Sequence, residues 1–549
     1  MRRFSKKALA ILSILLLTTG FMMIRHPELL FAINKSLTIF GEVFRLVSLY
    51  YVDEIDPEKF IQVGLEEMLN YLDPYTQYVT EDESGTIDML TTGRYGGFGI
   101  SVGRLDSMLV ILNVMEGYGA DKAGLQRGDF LYKVDSVIVL HLPPGKLRSY
   151  TYGKPGTEAT VVVLRGPRPD TLTFRVRREE IHLENVSYFG MVDTGIGYIR
   201  LERFSQKAPR EVKEALEQLK AQDSLRGLIL DLRNNPGGLL ESAVAITEFF
   251  VPLGSTIVST IGRDSSERRV YISDSTPLDT TLPLVVLINE QSASASEIVA
   301  GALQDLDRAV IVGRRSFGKG LVQSIFSLPY EGTLKMTTAR YYTPSGRCIQ
   351  KIDYSAKRMH ILKKADSLHK IFYTHHGRPV EESNGILPDS VVPRPQFPKF
   401  VQALRKHRMF FRFANFYLAT HSIDSAHPVN ATTLQAFTQF LMQKRFFDKQ
   451  SLPAMLSQAR HVAEEEKYSD SLLTLLNAAR RLAQAELRRL VTINQAIIQK
   501  QLQREFALRL YPKRIRIERS LTEDPDLRAA TAILHSPARY SEILAGSLH

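Results

Sequence analysis

Two residues in this chain are spaced to do nucleophilic chemistry. Ser294 lies in Ser292-Ala293-Ser294-Ala295-Ser296-Glu297-Ile298, and Lys319 follows twenty-five positions later in Ser316-Phe317-Gly318-Lys319-Gly320. A serine hydroxyl becomes a nucleophile only beside a base. Lysine is ordinarily protonated, with a pKa of about 10.4. Burial lowers such a group to about 7–8, a differential cost of roughly 4 kcal/mol. The flanks of Lys319 suit burial: Ala309-Val310-Ile311-Val312 before it, then Leu321, Val322, Ile325 and Phe326. Gly318 and Gly320 allow close backbone approach. In a strand, Lys319, Leu321 and Gln323 share one face. Gln323 would then accept a hydrogen bond from the amine and aim it. Such a pair serves peptide-bond hydrolysis without histidine or metal.

These residues need elements to hold them. Leu282–Ile288 is a strongly apolar run and reads as a buried strand. Ile298, Val299, Ala302, Leu303 and Leu306 recur with helical spacing, so a helix begins near Ser294. A strand, tight turn and helix leave free N–H groups at the helix start, and that of Ala295 can hold a developing oxyanion. Upstream, Leu228-Ile-Leu-Asp-Leu-Arg-Asn-Asn-Pro-Gly-Gly238 is another buried strand ending in a turn. Gly237 and Gly238 let backbone N–H groups face a ligand and complete the oxyanion hole.

Blander readings compete at each position. Ser294-Ala295-Ser296-Glu297 is also a capping box. Lys319 alone reads as a solvated lysine on an edge strand, and the glycine pair as an ordinary turn. Gly313-Arg-Arg-Ser-Phe-Gly318-Lys319 fits a phosphate loop, but Gly320 replaces the Ser or Thr that would meet Mg²⁺. The residues after it look like a strand, which disfavours ATP binding.

Taken in order, these segments resemble the carboxyl-terminal processing proteases, the tail-specific S41 serine peptidases. The resemblance rests on Asp231-Leu232-Arg233-Asn234-Asn235-Pro236-Gly237-Gly238, on Ser-Ala-Ser-Ala-Ser-Glu and on Phe317-Gly318-Lys319-Gly320-x-x-Gln323. Tyr341-Tyr-Thr-Pro-Ser-Gly-Arg347 and Gly385-Ile-Leu-Pro-Asp389 extend it over roughly residues 35–395. It implies Ser294 as nucleophile, Lys319 as general base, Gln323 as orienting partner and a structural role for Asp305. Gln291, where many relatives carry glycine, is a small departure.

The resemblance also implies an inserted PDZ domain over about 85–180. Gly96-Gly97-Phe98-Gly99-Ile100-Ser101-Val102 is a glycine-rich loop entering an alternating strand. Such a loop can offer N–H groups to a terminal carboxylate while the strand edge accepts a peptide. Gly97, Phe98, Gly99, Ile100 and Val102 are the expected binding residues. Ala120-Asp-Lys-Ala-Gly124, Gly128-Asp129 and Gly153-Lys-Pro-Gly156 complete the pattern.

At 549 residues, with 44% hydrophobic and 23% charged residues, the chain is an ordinary globular protein of several domains. The net charge of +11 comes without tryptophan or any nucleic-acid motif, so anionic lipid explains it better than nucleic acid. Cys348 is the sole cysteine and lacks a His–Asn partner pattern. His375-His376 has no third ligand at metal-like spacing, so neither metal nor cofactor is expected. Met1-Arg-Arg-Phe-Ser-Lys-Lys7 followed by an apolar run from Ala8 to Ile24 has the layout of an uncleaved signal anchor. The rest of the chain would then face the periplasm or outside of a bacterial envelope.

The expected architecture is multidomain α/β. It comprises a signal anchor over 1–29, N-terminal helices over 30–84 and the mainly-β PDZ insert over 85–180. A crotonase-like α/β core follows over 181–395, with a mainly helical C-terminal region over 396–549. Within the core, helices are expected over Glu211–Leu219, Glu241–Phe250 and Glu297–Leu306. Leu472–Leu510 has few helix breakers, and Leu473, Leu476, Ala479, Leu482 and Leu487 suggest one buried face. The N- or C-terminal helices would serve a homo-oligomer or simply pack on the core. The expected function is a serine endopeptidase acting on exported proteins with accessible C-termini. The alternative is a catalytically silent PDZ-bearing envelope scaffold.

Overall fold

The computed structural model describes residues 27–80, 85, 89, 91–142, 144–166, 170–222, 224–330, 332–354, 370–382, 384–423, 428–444 and 452–546. The apolar run expected to anchor the chain, Ala8–Ile24, lies outside them. No helix of the described residues is long and apolar enough to cross a membrane.

The catalytic candidates sit on a six-stranded sheet ordered Val186–Asp193, Ile196–Leu201, Gly227–Asp231, Leu284–Ile288, Val310–Gly313 and Ser390–Val391. The first pair is antiparallel and the remaining pairings are parallel. The strands Gly227–Asp231, Leu284–Ile288 and Val310–Gly313 are buried at every position. Parallel strands covered on both faces require such unbroken apolar runs. One face packs Leu228, Leu230, Val286 and Ile311 against the helices Ala208–Lys220, Leu240–Glu248 and Ala295–Asp305. These helices lie within one to three residues of the expected ends, and Pro209 in the first turn starts the first of them early.

The other face presents Ile229, Val285, Leu287, Val310 and Val312. It is covered by the end of the chain: Ile517, Leu521, Leu527, Ala530 and Ile533 pack onto it. The last part of the expected C-terminal helical region therefore packs directly on the core sheet. Residues from Val401 to Phe506 form a separate helical core. Its helix Met409–Leu418 sends Phe411 against Leu105 and Val110 of the β-rich insert. The stretch Leu472–Leu510, expected to be rich in helix, is helical in two segments, Asp470–Ile493 and Gln495–Leu510, which meet at Asn494. Leu487 is buried in it, but Leu482 is 70% exposed, so the anticipated buried face does not run its full length.

A second sheet lies beside the core and carries the other half of the site. Thr333–Tyr342 pairs on one side with Leu321–Ser327 and on the other with Gln77–Val79 and, further along, with Thr256–Ile261. The insert is mainly β. Its sheet runs Ile100–Leu105, Met108–Val114, Phe130–Val134, Glu158–Arg165 and Asp170–Arg177, with Val137–Ile138 attached. Near the N-terminus, helices Pro27–Tyr50 and Pro57–Asn70 bury none of their residues.

Candidate active site

Ser294 is the last residue before the helix Ala295–Asp305, with φ 56° and ψ −115°. A non-glycine residue held at positive φ costs on the order of 1–3 kcal/mol and is kept only where its surroundings impose it. Those surroundings are visible. The Ser294 N–H donates to Glu297 Oε2 at 2.9 Å, and its carbonyl accepts from the Tyr341 hydroxyl at 3.2 Å. Ser292 Oγ donates to the Leu232 carbonyl at 2.8 Å, and Ser296 Oγ to the Asn235 carbonyl at 2.9 Å. The serines flanking Ser294 thus tie its turn to the neighbouring strand end, and Ser294 itself lines the cavity.

Glu297 joins the two halves of the site. It is fully buried. Its Oε1 accepts from Ser316 Oγ at 2.5 Å and Gly318 N at 2.7 Å, and its Oε2 accepts from Ser294 N and Lys319 N, each at 2.9 Å. Burial pushes its carboxyl up to about 7, and those four donors oppose the shift. The capping box seen in the sequence is therefore also a clamp between the Ser294 turn and the Lys319 loop.

Lys319 is half-buried. Burial, then the charge of Lys335, lowers its amine to about 8, while Glu297 and Asp73 act the other way. Ser294, Lys319 and Gln323 line one cavity of about 980 Å³. The amine makes no hydrogen bond to the Ser294 hydroxyl. It rests over the Tyr75 ring, 4.5 Å from the centroid. Gln323 does not bond it either: its Nε2 donates to Thr337 Oγ1 at 3.3 Å. The strand begins only at Leu321, so Lys319 stands in the loop before it, and all three residues line the same cavity. A register shift beside Gln323 places its extra residue, Thr338, on the partner strand.

The glycine turn meets Ser294 directly. Gly237 has φ +99°, and a Cβ there would stand 2.7 Å from the Ala293 carbonyl and 2.9 Å from Ala295 N and Ser294 Cβ. The Gly237 N–H donates to Asn235 Oδ1 at 2.9 Å, so this residue contributes close approach rather than a free donor. Gly238 and Ala295 have N–H groups with no acceptor among the described residues.

Around the turn, Asp231 and Arg233 form a buried fork, Arg233 Nε and Nη2 donating to Asp231 Oδ1 and Oδ2 at 2.9 and 2.7 Å. Arg233 Nη1 also donates to Asp524 Oδ1 at 2.9 Å and Asp526 Oδ2 at 2.8 Å. Arg314, in the loop leading to Lys319, reaches Asp526 Oδ1 at 2.9 Å. Asp305 accepts from the buried Arg347 at 2.7 Å, a structural contact at the far end of the Ser294 helix. Burial raises the thiol pKa of Cys348, which disfavours its thiolate.

In the insert, Gly97 and Gly99 stand at the two sides of Phe98, and Gly99 has φ +79°. Phe98 is buried under the Arg178 guanidinium, 4.9 Å from its ring, so it supports the loop from inside. Ile100 and Val102 are half-buried over the insert core. Their strand, Ile100–Leu105, ends the sheet and pairs on one side only among the described residues. The helix Pro144–Thr151 lies against it.

Sequence reasoning missed four contributors. Glu297 is legible in the sequence only as a cap. The places of Asp73, Tyr75 and Lys335 carry no local signal, because they depend on strand pairing across more than 250 residues.

Comparison with known proteins places the chain. The profile described as "Peptidase family S41" matches residues 195–356, and "Probable PDZ-protease, C-terminal helical domain" matches residues 400–534. A carboxyl-terminal-processing protease of Synechocystis sp. is 36% identical, over 56% of this chain and 77% of its own. The solved photosystem II D1 C-terminal processing protease is 26% identical, covering 66% of this chain and 95% of its own with a TM-score of 0.37. The carboxy-terminal-processing protease of Bartonella bacilliformis is 38% identical across 58% of this chain and 73% of its own. On that extent of likeness, the chain belongs to the carboxy-terminal-processing proteases of peptidase family S41, which are serine-type hydrolases.

Proposed function

We propose that Ser294 and Lys319 form the catalytic dyad of a peptidase that takes protein substrates by their C-terminal tails. One observation carries the reading. A serine held at positive φ on a helix-start turn shares a cavity of about 980 Å³ with a half-buried lysine whose amine is lowered to about 8. Lys319 leaves the Tyr75 ring, takes the Ser294 proton, and Ser294 Oγ attacks the scissile carbonyl. The oxyanion rests on the N–H groups of Ala295 and Gly238, with Gly237 allowing the approach. The amine passes its proton to the leaving nitrogen and then activates water against the acyl-enzyme. Gln323 steadies the amine after it swings toward Ser294.

The insert is read as a PDZ module and the core as crotonase-like. Supporting the first are the glycine loop at Gly97 and Gly99 and the unpaired edge of Ile100–Leu105, which suit a peptide added as a strand. Ile100 and Val102 would meet its side chains. Supporting the second are a largely parallel sheet with helices packed on both faces and a second sheet beside it. The basic-then-apolar N-terminus supports an inner-membrane anchor and exported substrates in the cell envelope. The exposed apolar side chains of Pro27–Tyr50 suit a homo-oligomer.

The test compares wild type, Ser294→Ala and Lys319→Ala on an unfolded protein without ATP or metal. Cleavage is expected to vanish in both variants with the fold retained. Cleavage surviving in Ser294→Ala rejects the assignment. Deleting residues 85–180 should abolish tail preference.

A further inference from the structure

The cavity that holds Ser294 contains a second lysine that the chemistry above does not use. Lys335 lies on Thr333–Tyr342, opposite Ile325 on one neighbouring strand and Gln77 on the other. It is half-buried and lines the same cavity as Ser294, Lys319 and Gln323. Residues two apart on a strand share a face. Lys335 is thus one step along from Thr337, whose hydroxyl holds Gln323.

Among the described residues, no carboxylate lies within ion-pair reach of Lys335. The other charged residues of the cavity besides Lys319 are Glu241, Glu267, Arg268 and Arg269, all exposed. Solvent screens those four. Burial alone lowers the Lys335 amine, with no acidic neighbour acting against it. A cation drawn out of water without a counter-ion is costly, and a substrate anion would relieve that cost.

We propose that Lys335 is a carboxylate-binding residue of the substrate cleft, receiving an anionic group of the peptide beside the bond that Ser294 attacks. The group is either the terminal α-carboxylate of the tail or an Asp or Glu side chain near the cut. The proposal rests on the Ser294–Lys319 reading and adds a specificity determinant to it. A charge-assisted contact of this kind discriminates by about tenfold or more.

The experiment uses the full chain and three peptides of one sequence: free acid, C-terminal amide, and free acid with the Asp near the cut replaced by Asn. kcat/KM is measured for wild type, Lys335→Met and Lys335→Arg. Wild type should favour a carboxylate over its neutral counterpart by about tenfold. An amide effect that Lys335→Met removes identifies the terminal group as the source, and an Asn effect that it removes identifies the side chain. The ratio should fall to near unity in Lys335→Met and persist in Lys335→Arg. Equal rates of wild type on all three peptides would overturn the proposal. So would a ratio unchanged in Lys335→Met. Failure of the dyad reading looks different: Ser294→Ala would then cleave every peptide as wild type does.

Discussion

The Lys319 ammonium lies over the face of the Tyr75 ring, 4.5 Å from its centroid, and not on the Ser294 hydroxyl. Tyr75 reaches this place because Asp73 Oδ1 accepts from the N–H groups of Tyr75 and Thr76, both at 2.8 Å. Gln77–Val79 then joins the sheet edge at Thr333–Lys335. A π face favours the charged amine by about 0.5–2 kcal/mol. Tyr75→Leu should therefore move the acidic limb of the kcat/KM profile down by roughly 0.4–1.5 pH units, while Tyr75→Phe leaves it in place. An unmoved limb in Tyr75→Leu would show that the ring does not bias the proton.

The acidic limb itself should lie near the Lys319 value of about 8, with activity rising as pH increases through it, because the base must be neutral. Neighbouring charges set the sign of further shifts. Removing the Lys335 cation in Lys335→Met should move the limb upward. Removing the Asp73 anion in Asp73→Asn should move it downward. Rate profiles between pH 6 and roughly 10 check both directions.

Glu297→Gln replaces an acceptor-only group with one that presents an NH₂ to N–H and O–H donors. One pair among Ser294 N, Lys319 N, Ser316 Oγ and Gly318 N would lose its acceptor. A loss of about 100-fold or more in kcat is expected. Circular dichroism should show the helix content retained. Wild-type kcat in this variant would mean that the clamp is dispensable.

Asp526 binds Arg233 beside the glycine turn and Arg314 before the Lys319 loop. Breaking a buried pair by removing one charge costs on the order of 3–5 kcal/mol. Asp526→Asn should lower Tm by several degrees and reduce kcat more than it raises KM. Truncation after residue 512 should expose Ile229, Val285 and Val312 and give an insoluble chain. A soluble, active truncation would contradict the role of the C-terminal helices as part of the core.

Gly237→Ala adds a methyl group 2.7 Å from the Ala293 carbonyl at a φ of +99°. Peptidase activity should fall by at least about 100-fold, through displacement of the Ser294 turn. Titration of the active serine with a fluorophosphonate probe should fall in parallel. Normal labelling would show that the turn tolerates the methyl.

Much of the candidate site is legible in the sequence because its signals are local. Leu284–Ile288 is apolar at every position, and a strand that must be covered on both faces can be written in few other ways. The helix after Ser294 follows from its cap and from the spacing of Ile298, Val299 and Ala302. The Gly237–Gly238 turn was marked by residues that alone tolerate its backbone.

What the order of residues determined, then, is which side chains are candidates for the chemistry and which elements bear them, since short-range sterics and hydrogen bonding decide both. Only the folded chain decided what stands beside them. Tyr75, Asp73 and Lys335 come to Lys319 through a strand added from far away, and Asp524 and Asp526 come to Arg233 from nearly 300 residues on. The register shift opposite Gln323 and the exposure of Leu482 are likewise consequences of neighbours. Local propensity cannot specify these placements, because the free energy that selects them comes from burial and charge pairing between segments that meet only in three dimensions.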